Sequence, residues 1–337
     1  MTTPRERLLE LADGFIVTQL LHLAARLGLA DRLAERPQSG AELAAATGAD
    51  PALLTRALRG LVLSGVLAEE ADGRFGLTET GAALRTDVPG SLHGSLLARG
   101  SIYYGAAGSL VPAVLAGDTA FELAYGEPFF AHLEHEPAHA ADFQAAMSGR
   151  AEREAAAIAA ACDLRDARRL VDVGGGRGVV LEALLRANPG LRGLLLDRPP
   201  VAAEAGERLR AAGLGDRVTC AGGDMFDAVP ADGDVYLLSR VLHDWDDERA
   251  RAILRSCRAA MGPGTRLLVA EAILPERVAD GPAAVRMDLF MLLLFTGARE
   301  RAAAEFAALL EATGFALRQV VATEGAAVPD VLDAVAV

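Results

Sequence analysis

Residues 239–245, Ser-Arg-Val-Leu-His-Asp-Trp, leave the apolar run Val235 to Leu238 and precede an acidic helix start, Asp246-Asp247-Glu248. The run predicts a parallel strand, which puts His243 at the carboxyl end of a sheet, where open α/β sheets bind ligands. A histidine at a helix entry is usually structural. Beside Asp244 and the chain's only tryptophan, Trp245, it becomes a candidate base. A second constellation is Leu-Val-Asp-Val-Gly-Gly-Gly-Arg-Gly at 170–178. Asp172 interrupts a short buried strand, and Gly174, Gly176 and Gly178 form a turn that lets backbone approach a ligand. A dinucleotide fingerprint would need glycine where Val179 stands, so the pattern is acidic-x-G-x-G-x-G. A bare strand-to-helix corner would use the same turn. Asp197 ends the next strand 19 residues beyond Gly178, at a position that commonly takes ribose hydroxyls. After Val218 to Ala221, Asp224 could accept from an adenine amino group while Met225 lies on the ring.

The elements that carry these residues alternate as in a doubly wound sheet. Strands are expected at 170–173, 191–196, 218–221, 235–238 and 266–270, the last ending in Glu271, with helices between them. Phe315 to Thr323 and Val331 to Val337 predict a terminal antiparallel hairpin, which separates this α/β fold from ordinary Rossmann dehydrogenases. Upstream, residues 4–27 read as one long helix, apolar on several sides, which predicts a homodimer. From Gly28 to Leu84 the signals are those of a winged helix-turn-helix: a capping box at Ser39 to Glu42, a helix start at Asp50-Pro51, and a two-stranded wing about Asp72-Gly73. Residues 1–100 hold ten arginines against twelve acids, too few for an element that enters a DNA groove. Residues 100–155 read as a helical connector rich in aromatics. Within it, Glu136-Pro137 separates His139 from His132 and His135, so a solvated turn is expected there rather than a metal site.

The 337 residues are 52% apolar and 23% charged, a globular composition with length for two domains. A net charge of -13 argues against nucleic-acid or anionic-membrane partners. All 33 basic residues are arginine, which excludes P-loop and Schiff-base lysine chemistry. Apolar runs such as Leu289 to Phe295 fall short of the roughly 20 residues that span a bilayer, and Arg5, Glu6 and Arg7 do not open a secretory signal, so a cytoplasmic protein is expected. Cys162, Cys220 and Cys257 lack metal or redox spacing and are expected as buried free thiols.

In order along the chain, Asp-Val-Gly-Gly-Gly-x-Gly, Leu-Asp-Arg-Pro, Gly-Gly-Asp-Met-Phe, Val-Leu-His-Asp-Trp-Asp-Asp-Glu, Ala-Glu-Ala-Ile-Leu-Pro and Gly-Ala-Arg-Glu-Arg resemble the S-adenosylmethionine-dependent O-methyltransferases of the caffeate and hydroxyindole type. Bacterial antibiotic-pathway members look most similar. The resemblance covers nearly the whole chain and implies a Rossmann-like class I methyltransferase domain at 156–337, a winged-helix dimerisation domain at 1–99, and a connector at 100–155 that contributes to the acceptor pocket. It implies cofactor contacts from Gly174, Gly176, Asp197, Asp224, Met225, Ser239 and Arg240. It matches His243 to the catalytic base and Glu271 and Glu300 to the acids that orient it, with no metal. Phe143, Met147, Asp244 and Met291 match acceptor-binding positions. Leu294 and Phe295 stand where plant members carry a His-Asn pair, and Ser239 replaces their lysine, which leaves the acceptor open. The expected activity is methylation of a phenolic hydroxyl on a small aromatic natural product. An N-methyltransferase and a divergent hydroxylase or decarboxylase of the same fold are the alternatives, and a ligand-responsive DNA-binding regulator is the reading from another class.

Overall fold

A computed structural model describes residues 3–231, 233–323 and 328–337. The chain divides into two compact units, Met1–Gly108 with Phe130–Arg150, and Ser109–Phe129 with Ala151–Val337.

The first unit begins with two helices where one was expected. Pro4–Ala12 and Gly14–Arg26 meet at 45°. Asp13 leaves helical geometry with ψ near -2°, and Gly14, the weakest helix former short of proline, follows it directly. Leu8, Leu9 and Leu11 stay 60–68% exposed on the first of these helices. The helix-turn-helix signals operate as read. The Ser39 hydroxyl accepts from the Glu42 N–H at 3.2 Å, while Glu42 accepts from the Ser39 N–H at 2.7 Å. Asp50 caps the helix Pro51–Leu63 by accepting from the Leu53 N–H at 2.8 Å. Strands β1 (Leu67–Glu69) and β2 (Phe75–Leu77) pair antiparallel as the wing. Leu29, Leu43, Leu58, Leu61 and Phe75 form the core beneath them.

Of the three histidines, His135 is exposed as a solvated turn requires, while His132 and His139 depart from it. His132 is buried, and its Nε2 lies 2.8 Å from Nδ1 of His139 with the rings stacked. The break at Glu136-Pro137 turns the chain back on itself and so joins the two rings instead of separating them. Residues 100–155 likewise do not form a separate connector. The helix Ala120–Tyr125 packs on the helix Pro282–Leu294, and Phe129 meets the Phe295 ring edge-on at 4.9 Å, which ties 109–129 to the second unit. Residues 130–150 return to the first, where Gly94 leaves no space for a side chain against Ala145.

The second unit is a sheet between two helical layers. Its strands are β3 (Arg169–Val173), β4 (Arg192–Asp197), β5 (Val218–Gly222), β6 (Val235–Ser239) and β7 (Arg266–Glu271), all parallel. A small parallel pair follows, β8 (Ile273–Leu274) with β9 (Arg301–Ala302), and then the hairpin β10 (Phe315–Val321) and β11 (Asp330–Ala336). The order is β10-β11-β7-β6-β3-β4-β5, with β11 antiparallel to β7. Leu170, Val171 and Val173 are fully buried because both faces of β3 are covered, as parallel strands require. Ile253, Leu254 and Phe306 fill one face, and Leu181, Leu184 and Ile158 the other. The chain runs outward from β3 to β4 and β5, then crosses back to β6. The carboxyl ends of β3 and β6 therefore flank the topological switch point where such sheets open a crevice. Among the described residues no single helix is long and apolar enough to cross a membrane.

Candidate active site

On the β3 side, the turn holds Gly174, Gly176 and Gly178 at φ of 72°, 55° and 75°, where a side chain is strained. The Gly174 N–H donates to the Leu196 carbonyl at 2.8 Å, which pins the turn to β4. A Cβ on Gly174 would lie 2.9 Å from Val241 Cγ2 and 3.8 Å from the Met225 sulfur, so the glycine keeps a groove open between these two side chains. Asp197, at the end of β4, accepts from the Gly176 N–H at 2.8 Å and the Arg198 N–H at 2.7 Å. Burial raises its carboxyl, and those backbone donors oppose the rise. Asp224 is exposed and accepts from the Phe226 N–H at 2.8 Å. Beneath the turn, Asp172 is fully buried, with no hydrogen-bond partner among the described residues. Burial, and then the neighbouring charge of Asp197, push its carboxyl up to about 7.

On the β6 side, His243 lies in a short 3-10 turn, Leu242–Asp244, and is 3% exposed. Its Nδ1 is 2.8 Å from Glu300 Oε1 and 3.7 Å from Glu271 Oε2, and its Nε2 is 3.4 Å from Asp244 Oδ1. A carboxylate can only accept, so the short contact with Glu300 puts the proton on Nδ1, and Nε2, at the longer 3.4 Å from Asp244, is left with the lone pair. Glu271 is held in turn: its Oε1 accepts from the Val241 and Leu242 N–H groups at 2.9 and 2.8 Å. Burial raises the Glu271 carboxyl, and attraction to His243 works against that. Ser239 ends β6, and Arg240 follows with φ of 57°, the one non-glycine residue in the left-handed region among the described residues.

Three supports of this turn carry no local signal in the sequence. The β8–β9 pair, with Ile273 opposite Arg301, brings Glu300 beside Glu271. Asp288 accepts from the Glu300 N–H at 2.9 Å. Arg301 is fully buried and donates to the carbonyls of Leu242 at 2.8 Å and Trp245 at 2.7 Å and to Asp247 at 3.0 Å, so it braces both ends of the His243 turn. An arginine within Ala-Arg-Glu-Arg reads as a solvated one, so only the parallel pair betrays it. Of the expected acceptor residues, Met291 is buried and Asp244 half-buried in this unit. Phe143 and Met147 are half-buried in the first unit, where Phe143 meets Phe130 edge-on at 6.4 Å.

A family model described as the O-methyltransferase domain matches residues 108–316, and one described as the O-methyltransferase dimerisation domain matches 9–87. The chain belongs to the O-methyltransferase family. It is 44% identical over 317 residues to a phenazine O-methyltransferase of Lysobacter antibioticus, covering 94% of this chain and 92% of that one. A phenazine-1-carboxylate N-methyltransferase of Pseudomonas aeruginosa is 35% identical, covering 93% and 92%. A solved O-methyltransferase from neocarzinostatin biosynthesis, in complex with S-adenosylmethionine and 2-hydroxy-5-methyl naphthoic acid, superposes with a TM-score of 0.81 at 35% identity, covering 95% and 96%. This methyltransferase uses S-adenosylmethionine. The glycine turn is suited to that cofactor: an open groove at Gly174, a carboxylate at Asp197 for hydroxyls, and an exposed acceptor at Asp224 beside a soft thioether at Met225.

Proposed function

We propose that this methyltransferase transfers the methyl to a phenolic hydroxyl of a small aromatic natural product, with His243 as general base. The observation that carries the reading is the 2.8 Å contact of Nδ1 with Glu300, which leaves Nε2 as the proton acceptor at the switch point of the sheet. When bound, S-adenosylmethionine supplies a sulfonium methyl that is already electrophilic. Gly174 and Gly176 would hold it through backbone, Asp197 at the ribose, and Asp224 with Met225 at the adenine, while Ser239 and Arg240 complete the set. Phe143, Met147, Asp244 and Met291 are the acceptor contacts in this reading.

The chain's own task is then to align the acceptor oxygen and remove its proton. A phenol with pKa about 10 is about one part in a thousand ionised at pH 7, a deficit of about 4 kcal/mol. His243 offsets this by taking the proton at Nε2 as the oxygen attacks. Glu300 and Glu271 stabilise the resulting imidazolium, as a carboxylate does for a histidine base elsewhere. The test is mass spectrometry of the enzyme with S-adenosylmethionine and a panel of phenolic aromatics. A gain of one CH2 that His243→Ala abolishes, with cofactor binding intact, is expected. The same gain in the His243→Ala variant would overturn the base.

The Pseudomonas relative's name favours nitrogen as the second acceptor class, and an anilinic member of the panel tests it. We also assign a homodimer, on the exposed Leu8, Leu9, Leu11, Phe15 and Ile16 and the dimerisation-domain match. Sedimentation at micromolar concentration should give twice the chain mass.

A further inference from the structure

Arg240 interrupts the turn that leads from β6 to His243, and its side chain reaches away from the glycine turn toward the acids behind the base. Its Nη2 lies 2.8 Å and its Nε 3.3 Å from the two carboxylate oxygens of Glu154, a bidentate pair. Its Nη1 lies 3.7 Å from Glu300 Oε1, the same oxygen that meets His243 Nδ1 at 2.8 Å. Arg240 and Glu154 side chains are 11% and 7% exposed, so water screens these charges little. We propose that Arg240, clamped by Glu154, is a positioning residue that sets how tightly the His243–Glu300 pair holds its proton.

The charges facing that pair account for the effect. Glu271, Asp244 and Glu300 itself press toward protonation of the imidazole, and Arg240 is the cation placed against Glu300. Arg301 and Asp288 meet the turn through backbone groups, with Arg301 bound to Asp247, and Arg299 is bound to Asp247 and Glu305. Three acids so placed favour the charged form of the imidazole over the neutral one. Arg240 opposes them, and Glu154 limits how far it does so by drawing the guanidinium away. Burial works against the Arg240 charge, but Glu154 and then Glu300 outweigh it and hold the guanidinium above its ordinary value. The strained backbone at φ 57° is what such placement costs, since a left-handed residue without glycine persists only where its surroundings fix it.

The proposal rests on His243 as base, and its test separates the two. The pH profile of kcat is measured for Arg240→Met, Arg240→Lys, Glu154→Gln and His243→Gln, with the imidazole titration of cofactor-free protein followed by NMR. Removing the cation favours the protonated pair, so Arg240→Met should move the acid limb upward by about 1 to 2 pH units. At a pH below the limb, each unit is a tenfold loss of kcat. Glu154→Gln releases the guanidinium toward Glu300 and should move the limb downward, and Arg240→Lys should restore most of the wild-type position. An Arg240→Met chain that does not fold leaves the Glu154→Gln shift to decide. Limbs and imidazole titrations unmoved in the folded variants would overturn the proposal, as would a weakened cofactor KM with an unmoved limb, which would leave Arg240 a cofactor contact alone. Turnover retained by His243→Gln would instead overturn the base itself.

Discussion

At the carboxyl ends of β3 and β4, Asp197 is met by the N–H groups of Gly176 and Arg198, and Asp172 is buried with no hydrogen-bond partner among the described residues. At the ends of β6 and β7 the acids are deeply buried too, but besides the backbone N–H groups that hold Glu271 they are met by side chains from distant segments. Glu300 faces His243 and Arg240, Glu154 pairs with Arg240, and Arg301 ties the turn to Asp247. The two halves of one sheet edge thus surround their buried acids in different ways. The first uses the local path of the chain, which suits a groove that must admit a ligand. The second uses compensated side-chain charge, which suits the base proposed at His243.

Four measurements would break or sharpen this contrast. The largest effect is expected at the proposed base: His243→Gln should lower kcat about 10²- to 10⁴-fold with cofactor affinity unchanged, as loss of a general base does. Steady-state kinetics and calorimetric cofactor binding decide it. Next, Arg301→Met strips a fully buried brace of three acceptors and should cost about 3–5 kcal/mol in urea unfolding. A loss under 1 kcal/mol would mean the turn holds itself. Third comes the unpartnered acid. Asp172 is raised from 3.8 to about 7, so its contribution to stability is full below the unfolded value and is lost as pH rises through the folded one. Asp172→Asn should remove that loss, gaining about 2–4 kcal/mol on wild type between pH 4 and pH 8 in cofactor-free protein. Parallel stability curves would show the carboxylate to be compensated after all. The smallest effect is at Asp197→Ala, which should weaken cofactor binding about 10- to 100-fold with little change in kcat at saturation. An equal fall in kcat would erase the division of labour between the two sides.

The same contrast explains what the sequence could disclose. Gly174 to Gly178, Asp197 and the strand after them lie within a short stretch, so periodicity and turn chemistry reveal them together. His243 was legible for the same reason, from its place after one strand. Glu154 lies 86 residues from Arg240 and Arg301 59 residues from Leu242, and pairing over such distances leaves no local pattern. Aligned with known motifs, Glu271, Glu300 and Arg240 could be matched, Arg240 only as a cofactor contact; Arg301 and Glu154 could not. The helix break at Asp13, the stacked His132 and His139, and the sharing of residues 100–155 between the units were hidden likewise, because tertiary contacts decide them. The cysteines met expectation in part: Cys162 and Cys257 are buried with thiols pushed up to about 12, while Cys220 is half-buried.

The closing strand of the sheet has a consequence for how the protein comes into being. β11 is last in chain order yet lies inside the sheet, between β7 and β10, with Asp330 opposite Glu271. On the ribosome β7 must wait with its outer edge bare while more than fifty residues are added, an interval in which an open strand edge can join another chain. The inner edge of β7 already lies along β6, but the outer edge of the strand that ends in Glu271 gains its partner only when β11 arrives.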